Sequence, residues 1–258
     1  GVQKLPAGHY LLLRHDADMP RPVQWWDVSF AERRRGSTAD LEAELLHLMR
    51  QAVTSRMVAD VPLGAFLSGG VDSSSVVALM AEASGDPVRT CSIGFDVAAL
   101  DESNYARQVA ERFGTDHRSR MVSPDDFGAI DQLAAMFDEP FADASALPTW
   151  RVCQLARESV TVALSGDGAD EALAGYRRHV FQHNEDRMRA LLPSGLRRPL
   201  FGALGAIYPK ADWAPRPLRA KTTLLSLAAS SEEGYARALS VVPPELRDTL
   251  YTPDFLRL

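Results

Sequence analysis

Cysteine, lysine and long apolar runs are all scarce in this sequence of 258 residues. Its two cysteines, Cys91 and Cys153, are too few for a disulfide framework and favour a reduced, cytoplasmic setting. Only three lysines occur, and the net charge of −6 provides no basic field that would attract nucleic acid. No apolar run has the length of a membrane-spanning helix. These absences predict a soluble, cytoplasmic protein that binds neither nucleic acid nor a membrane.

The remaining composition is that of an ordinary globular protein, with 46% hydrophobic and 24% charged residues. The length suits one large domain or two small ones with a buried core. Residues 1–36 are predicted to be a lead-in segment with a short strand near 8–14, which Pro20 and Pro22 end. A helix is predicted from Ser37, because Ser37 can cap it and Asp40 lies in its first turn.

Short apolar strands and helical segments alternate after this point. The predicted elements are strand 64–67, helix 71–83, strand 88–95, helix 102–113, strand 118–122, helices 124–137 and 148–158, and strand 160–164. This alternation predicts an α/β fold, in which right-handed crossovers build a parallel sheet that helices cover on both faces. From Tyr176 onward the pattern predicts a helical C-terminal region. Ligands of such sheets bind at the carboxyl ends of the strands.

A loop rich in glycine and serine follows the first strand of this alternation. Residues 68–74 have the sequence SGGVDSS. Adjacent glycines let the backbone turn sharply and approach a ligand, and the N-terminus of the next helix favours an anion. Asp72 can hold a magnesium ion that bridges phosphate oxygens. A tight turn with a serine-rich cap is the alternative, but the run of small and polar residues favours phosphate binding.

Two better-known motifs are absent. There is no Gly-x-x-x-x-Gly-Lys-Ser/Thr sequence, which argues against an enzyme that cleaves between the β- and γ-phosphates. Neither Ser68 nor Ser165 lies in a Gly-x-Ser-x-Gly motif, so a nucleophilic serine is disfavoured.

A second glycine-rich loop follows the last predicted strand, where residues 165–171 have the sequence SGDGADE. Asp167, Asp170 and Glu171 are spaced by three and four residues, so a helix starting here would gather their carboxylates on one face. Such carboxylates can share a magnesium ion or transfer protons. Helix capping is the alternative, and it explains one acidic residue better than three. A dinucleotide motif is disfavoured because Glu171 occupies the place of its third glycine.

The two loops together carry a resemblance to a known family. The first resembles the pyrophosphate-binding loop of the PP-loop ATP pyrophosphatases, which include asparagine, GMP and argininosuccinate synthetases. The second is similar to the Ser-Gly-(Glu/Asp)-Gly-x-Asp-Glu signature of asparagine synthetases and their β-lactam synthetase relatives. Residues 60–64, 138–140 and 145–148 are also typical of the asparagine synthetase branch. The resemblance implies a PP-loop-type synthetase domain with ATP and Mg²⁺ as cofactors.

The resemblance also implies a reaction and its residues. ATP would adenylate the side-chain carboxylate of aspartate, and ammonia from glutamine would then give asparagine, AMP and pyrophosphate. The implied catalytic residues are Asp167, Asp170 and Glu171, with Asp72 and Asp170 as magnesium ligands. The implied ATP-binding residues are Leu67, Ser68, Gly69, Gly70, Asp72, Ser73, Ser74, Ile93, Gly94, Ser165 and Gly166. The partners would be ATP, aspartate and ammonia, and a homodimer stays open.

Domain boundaries follow from the same resemblance. Residues 1–36 would be a lead-in from an N-terminal glutaminase domain, and residues 37–258 a synthetase domain truncated at its C-terminal end. The family carries a later lysine motif that contacts the phosphates, and neither Lys210 nor Lys221 lies in such a motif. We therefore expect this chain alone to bind ATP weakly and not to complete the synthesis.

Several alternatives stay open from the sequence. The chain could belong to a related amidotransferase or β-lactam-synthetase-like enzyme that adenylates another carboxylate, or be a non-catalytic ATP-binding module. Arg177 and Arg178 could meet a substrate carboxylate or phosphate, or be ordinary exposed arginines. His179 and His183 have a spacing that zinc can use, but no third ligand accompanies them, which favours surface histidines.

Overall fold

The structure is a computed structural model, and a four-stranded parallel sheet forms its centre. The residues that it describes are 3–15, 20–97, 101–123, 127–138, 141, 143–209, 213, 215, 220–240, 242, 246, 249–252 and 254–255. The strands, in chain order, are β1 (His9–Tyr10), β2 (Val23–Gln24), β3 (Leu63–Phe66), β4 (Arg89–Phe95), β5 (Asp116–Val122) and β6 (Val162–Leu164). The α-helices are α1 (Thr38–Arg56), α2 (Val71–Ala83), α3 (Ser103–Phe113), α4 (Ile130–Met136), α5 (Ala146–Arg157), α6 (Ala169–Ala172), α7 (Arg177–Ala190), α8 (Ser194–Ile207), α9 (Lys221–Ala228) and α10 (Ser231–Leu239).

The strand order of the sheet is β5-β4-β3-β6, and all three pairings are parallel. In the centre, Ala65 of β3 is opposite both Thr90 of β4 and Leu164 of β6. The chain passes from β3 through α2 to β4, which lies on one side of β3. It later adds β6 on the other side of β3. The order of strands therefore reverses at β3, and a crevice at such a point is where α/β sheets bind ligands.

Apolar side chains bury both faces of this sheet. On one face, Leu67 packs with Val77 and Met80 of α2 and with Ala106 of α3. On the other face, Cys91 of β4 packs with residues of α5 that include Leu155. Helices therefore cover both faces, and the predicted α/β fold with a parallel sheet is confirmed.

The start of α1 has the predicted cap. Ser37 Oγ accepts a hydrogen bond from the backbone N–H of Asp40 at 3.2 Å, and Asp40 Oδ2 accepts one from the backbone N–H of Ser37 at 3.2 Å. Two N–H groups that the helix leaves unpaired are thereby satisfied. The cap fixes where α1 begins.

Several predicted elements differ from the structure, including the start of β5 at Asp116 rather than 118 and of α5 at Ala146 rather than 148. The first strand is only two residues long and pairs with β2, a strand that the sequence did not predict. The helix expected over 124–137 starts as a 3₁₀ turn at Phe127–Ala129 and becomes α-helical at Ile130, while Pro124 lies outside the described residues. Strand β6 begins two residues later than expected, because the N–H of Thr161 donates to Pro62 O at 2.8 Å before the regular pairing starts.

The predicted helical C-terminal region is confirmed by α7 to α10, and a buried arginine joins three of these helices. The guanidinium of Arg189 contacts Glu185 at 3.0 Å and Asp186 at 2.6 Å within α7. It also donates to the carbonyl and the hydroxyl of Ser226 in α9, at 3.0 Å each. Gly234 of α10 leaves the room that this side chain needs. In the part of the chain that the structure describes, no helix is long and apolar enough to span a membrane.

Candidate active site

The loop between β3 and α2 depends on one glycine. Gly69 has a left-handed backbone with φ +85°, and a β-carbon there would lie 2.6 Å from the carbonyl carbon of Tyr105 in the first turn of α3. Only glycine combines that backbone conformation with so close an approach. Gly69 therefore seats loop 68–74 against α3 and directs the chain into α2.

Two serine hydroxyls close the same loop from inside. The Oγ atoms of Ser68 and Ser73 are 2.9 Å apart, and the backbone N–H of Ser68 donates to Ser73 Oγ at 3.2 Å. The N–H of Gly70 donates to Ser68 Oγ at 3.2 Å. Because these hydrogen bonds hold the loop in one conformation, its remaining donors are preorganised for a ligand.

The N-terminus of α2 offers backbone donors to an anion. Gly70 precedes the helix in an extended conformation, and the N–H of Ser74 donates to the Gly70 carbonyl at 3.0 Å. An α-helix contains no acceptor for the N–H groups of its first residues, which here are residues 71–73. Those groups and the positive end of the helix dipole together suit a phosphate.

The acidic turn after β6 bends at a second left-handed glycine. Gly168 has φ +93° and precedes the short helix α6, so Asp167 lies before the bend and Asp170 after it. The hydroxyl of Ser165 donates to Asp167 Oδ2 at 3.0 Å, which ties that carboxylate to the end of β6. The expected row of three carboxylates on one helix face is therefore wrong for Asp167, because the helix begins only at Ala169.

The two loops touch each other at Gly166. A β-carbon on Gly166 would lie 2.9 Å from the carbonyl carbon of Asp72 and 3.0 Å from its Cβ. Those distances are shorter than packed side chains tolerate, so only glycine permits this contact. The first turn of α2 and the acidic turn therefore form one continuous wall at the carboxyl ends of β3 and β6.

A cavity of about 550 Å³ opens beside this wall. Its volume is in the range of small-molecule and cofactor sites. The lining residues come from β3, β4, the two loops and α5, and they are Phe66, Leu67, Ser68, Asp72, Ser73, Cys91, Ser92, Ile93, Pro148, Thr149, Val152, Ser165, Gly166, Asp167, Gly168, Asp170, Glu171 and Tyr176. The cavity thus lies at the reversal of strand order, as expected for this kind of sheet.

The cavity has an apolar part and an acidic part. Phe66, Ile93 and Val152 belong to the apolar part, which suits a flat heterocycle. The acidic part contains the carboxylates of Asp72, Asp167, Asp170 and Glu171. Among the described residues that line the cavity there is no lysine or arginine. A polyphosphate would therefore be repelled by these carboxylates unless cations accompany it.

Tyr176 binds the last of these carboxylates. Its hydroxyl donates to Glu171 Oε1 at 2.7 Å. This hydrogen bond lowers the pKa of Glu171 and raises the pKa of Tyr176, because the phenol donates to the charged form of the carboxylate. The nearby charge of Arg178 lowers the pKa of Glu171 further. Glu171 is therefore held ionised and Tyr176 protonated.

Comparison with known proteins places the chain in a family. Residues 44–249 match the family model described as asparagine synthase. The chain belongs to the asparagine synthase family. The putative glutamine-hydrolysing asparagine synthetase 2 of Methanocaldococcus jannaschii is 45% identical over 190 residues. Glutamine-hydrolysing asparagine synthetase 1 of Bacillus subtilis is 31% identical over 222 residues.

The likeness covers only part of each relative. It includes 73% of this chain but 36% of the M. jannaschii protein, and 81% of this chain but 32% of the B. subtilis protein. The chain therefore spans about a third of the length of these curated relatives. The amidase chyE of Penicillium rubens is 29% identical over 203 residues, which are 68% of this chain and 29% of that protein. Membership of the asparagine synthase family therefore leaves the acyl substrate open.

Two solved structures match about half of the chain. The NH3-dependent NAD synthetase of Campylobacter jejuni has a TM-score of 0.36 and 14% identity, and the match covers 52% of this chain and 60% of that one. The NMN synthetase of Francisella tularensis has a TM-score of 0.36 and 17% identity over 53% of this chain and 57% of that one.

Most residues that the sequence predicted as a site line the cavity of this asparagine synthase family member. They are Leu67, Ser68, Asp72, Ser73, Ile93, Ser165, Gly166, Asp167, Asp170 and Glu171. The predicted residues that do not line it are Gly69, Gly70, Ser74 and Gly94. A β-carbon on Gly94 would lie 2.6 Å from Met121 Sδ and 2.9 Å from Asp101 Oδ1, so this glycine makes room for packing between β4 and its neighbours. Which of these residues contact ATP stays a prediction.

A magnesium ion fits this cavity as the companion of a phosphate. Asp72 and Asp170 both line the cavity, but the described residues contain no group of three or more His, Cys, Asp or Glu side chains placed to hold a metal. Mg²⁺ typically keeps several waters and takes one or two carboxylates together with phosphate oxygens. The two aspartates therefore suit an ion that enters with ATP better than a preformed metal centre.

The sequence interpretation missed one wall of the cavity. Pro148, Thr149 and Val152 of α5 also line it. Pro148 and Val152 are four residues apart, a helical spacing that places both on one face. That spacing was a usable signal, but it does not tell a wall of a cavity from an ordinary core face.

The basic residues after the acidic turn pack against aromatic rings. The guanidinium carbon of Arg178 lies 3.8 Å from the ring centroid of Tyr176. His179 is half-buried, and its Nε2 is 3.2 Å from the hydroxyl of Tyr235 in α10, so the expectation of a surface histidine is wrong for it. No zinc-like group that would include His183 occurs within the described part of the chain.

Proposed function

We propose that this chain is the ATP-dependent, carboxylate-adenylating part of a glutamine-hydrolysing asparagine synthetase. One observation carries the proposal: the N-terminus of α2 and the acidic turn after β6 line a single cavity. A site with backbone donors for phosphate on one side and carboxylates on the other suits a reaction between a nucleotide and a second, smaller substrate.

ATP would lie across the cavity with its base in the apolar part. The backbones of Leu67 and Ile93 would border the adenine, as the family resemblance implies. The N–H groups of residues 71–73 and the hydroxyls of Ser68 and Ser73 would hold the β- and γ-phosphates. Magnesium held by Asp72 and Asp170 would neutralise phosphate charge.

The chemistry would take place on the α-phosphorus. A carboxylate oxygen of aspartate attacks that phosphorus, and its bond to the bridging oxygen of pyrophosphate breaks. Negative charge accumulates on the departing pyrophosphate, where the dipole and N–H groups of α2 stabilise it. The carbonyl carbon of the resulting acyl-adenylate then accepts ammonia, and AMP leaves with the oxygen that attacked.

The acidic turn would serve both halves of the reaction. Asp167 stands where the resemblance implies a carboxylate for the adenylate step, and Glu171 is held ionised by Tyr176. Ionised carboxylates at the cavity attract an ammonium ion and accept the proton that ammonia loses when it attacks. The acidic lining therefore supports a cationic or amine co-substrate.

The absence of basic residues from the described lining supports a longer active polypeptide. The matched part of the chain covers only 36% and 32% of the two relatives, and the family resemblance implies a phosphate-contacting lysine outside the matched motifs. We infer that residues 1–36 lead in from a glutaminase domain and that further chain completes the site of the domain that starts at residue 37. We call this longer polypeptide the full-length protein.

ATP–pyrophosphate exchange by the full-length protein tests the proposed function. Label from pyrophosphate should enter ATP when magnesium and aspartate are present, and glutamate at the same concentration should be a poor replacement. If another acid stimulates exchange and aspartate does not, the asparagine assignment is refuted and adenylation is retained.

The likeness to the amidase chyE favours one second candidate. In that case the same cavity would adenylate a different carboxylate, as in amidotransferases or β-lactam-forming relatives. A panel of carboxylic acids in the same exchange assay separates the two, because the adenylated acid alone stimulates exchange.

A further inference from the structure

Tyr176 joins the acidic turn to the helices that follow it. It precedes the N-terminus of α7 and lines the cavity. In the turn that leads to it, Ala174 has a left-handed backbone with φ 56°, and Gly175 lies against the carboxylate of Asp170. A non-glycine residue rarely adopts such a conformation unless its surroundings impose it. This strained turn sets the phenol of Tyr176 beside Glu171.

The ring of Tyr176 is itself held from α7. The guanidinium of Arg178 stacks over the ring at 3.8 Å from its centroid, and the ring of His179 meets it edge-on at 5.7 Å. Cation–π and edge-to-face contacts favour one orientation of the ring. His179 Nε2 in turn lies 3.2 Å from the hydroxyl of Tyr235, so α10 supports the same arrangement.

Glu171 needs such support because its side chain is exposed. An exposed glutamate samples several rotamers, and ordering it requires a specific contact. The hydroxyl of Tyr176, 2.7 Å from Glu171 Oε1, supplies that contact. We propose that Tyr176 is a positioning residue that fixes the Glu171 carboxylate at the cavity. The proposal rests on the proposed function, in which Glu171 acts near the reacting groups.

The variant Tyr176→Phe removes only the hydroxyl and keeps the ring on which Arg178 stacks. In the full-length protein we expect the affinity for ATP to stay within about twofold of wild type, while kcat of aspartate-stimulated exchange falls by about tenfold, because a misplaced catalytic group affects the reaction more than binding. Tyr10→Phe is the matched control, since Tyr10 is an exposed tyrosine in β1. It should leave kcat unchanged.

A double-mutant cycle with Glu171→Ala distinguishes positioning from general damage to the fold. If Tyr176 acts through Glu171, Tyr176→Phe should lower kcat by about tenfold in wild type and have no further effect in the Glu171→Ala background. Equal losses of kcat in both backgrounds, or a loss that follows a lowered thermal midpoint, would overturn the positioning role.

The position of Glu171 in a variant tests the positioning role independently of the proposed function. In a crystal structure of Tyr176→Phe we expect the Glu171 carboxylate to have left its position while Arg178 and His179 keep theirs. An unmoved Glu171 would overturn the positioning role. If the wild-type protein shows no ATP–pyrophosphate exchange with any acid, the proposed adenylation is refuted instead. That conclusion holds whether or not Glu171 has moved in the variant.

Discussion

The α-carbon of Gly166 lies so close to the first turn of α2 that a β-carbon there would be 2.8 Å from the backbone nitrogen of Ser73. One residue comes from the loop after β6 and the other from the helix after β3. The contact therefore fixes the distance between the phosphate-binding helix terminus and the acidic turn. Any side chain at position 166 must displace either the first turn of α2 or the acidic turn.

Gly166→Ala should therefore impair nucleotide binding while the protein stays folded. Displacing the first turn of α2 by a methyl group should raise the Kd of Mg·ATP for the full-length protein by about tenfold or more, in line with the cost of overpacking. Calorimetric titration measures this Kd. Gly85→Ala is the control, because a β-carbon on Gly85 meets nothing within 4 Å. Wild-type affinity in Gly166→Ala would mean that the two loops do not act as a unit.

Asp72→Ala tests whether magnesium binds where we propose. The variant should lower the affinity for ATP by on the order of tenfold or more when magnesium is present and change it little in excess chelator, since only the metal-bound nucleotide uses this carboxylate. Asp86→Ala, an exposed aspartate at the opposite end of α2, controls for the loss of a negative charge. Equal magnesium dependence in wild type and Asp72→Ala would contradict the metal role and favour a non-catalytic module.

Gly64→Ala should damage the fold, unlike the changes in the cavity. A β-carbon on Gly64 would lie 2.5 Å from the carbonyl oxygen of Arg89 and 2.9 Å from Val160 Cγ1, inside the central part of the sheet. We expect the free energy of unfolding to fall by about 1–3 kcal/mol, measured by urea denaturation. A change below about 0.5 kcal/mol, as for an ordinary surface substitution, would show that the sheet relaxes around the methyl group.

His117 should make stability depend on pH. Its Nδ1 is 2.9 Å from Thr90 Oγ1 and its Nε2 is 3.2 Å from Ser92 Oγ, and burial lowers its pKa below the ordinary value of 6.5. Just below pH 6.5 the unfolded chain therefore binds more protons at this histidine than the folded chain does. The stability that neutral His117 contributes is fully present above pH 6.5 and is lost as pH falls toward the folded pKa.

The urea midpoint should accordingly decrease between pH 7.5 and pH 5.5, a range in which histidine is the only type of side chain that titrates at its ordinary pKa. In His117→Gln the decrease should be smaller, because the titrating group is gone. Equal decreases in the two proteins would assign the pH dependence to other residues.

The sheet and both glycine-rich loops could be predicted because their signals are local. The apolar residues of β3 run directly into the SGGVDSS sequence, and those of β6 into SGDGADE. Parallel strands place such loops at one edge, so their proximity followed from the fold class. The family resemblance then supplied the reaction, which glycine and a helix dipole alone do not specify.

The rest depended on contacts that the sequence does not display. The hydrogen bond from Tyr176 to Glu171 requires the left-handed turn at Ala174, which no propensity favours. His179 was expected at the surface because its partner, Tyr235, lies far along the chain in α10. Gly94 was expected at the nucleotide from the resemblance, which did not indicate that its missing side chain makes room for Met121 and Asp101.

Transfer of labelled oxygen tests carboxylate adenylation most directly. The full-length protein would be given aspartate with ¹⁸O in its side-chain carboxylate, together with ATP, magnesium and a nitrogen donor, and the products would be examined by mass spectrometry. Carboxylate adenylation predicts one ¹⁸O atom in the phosphate of AMP and none in pyrophosphate, because the attacking oxygen stays on the α-phosphorus when ammonia displaces AMP. Unlabelled AMP, or label in inorganic phosphate formed together with ADP, would contradict it.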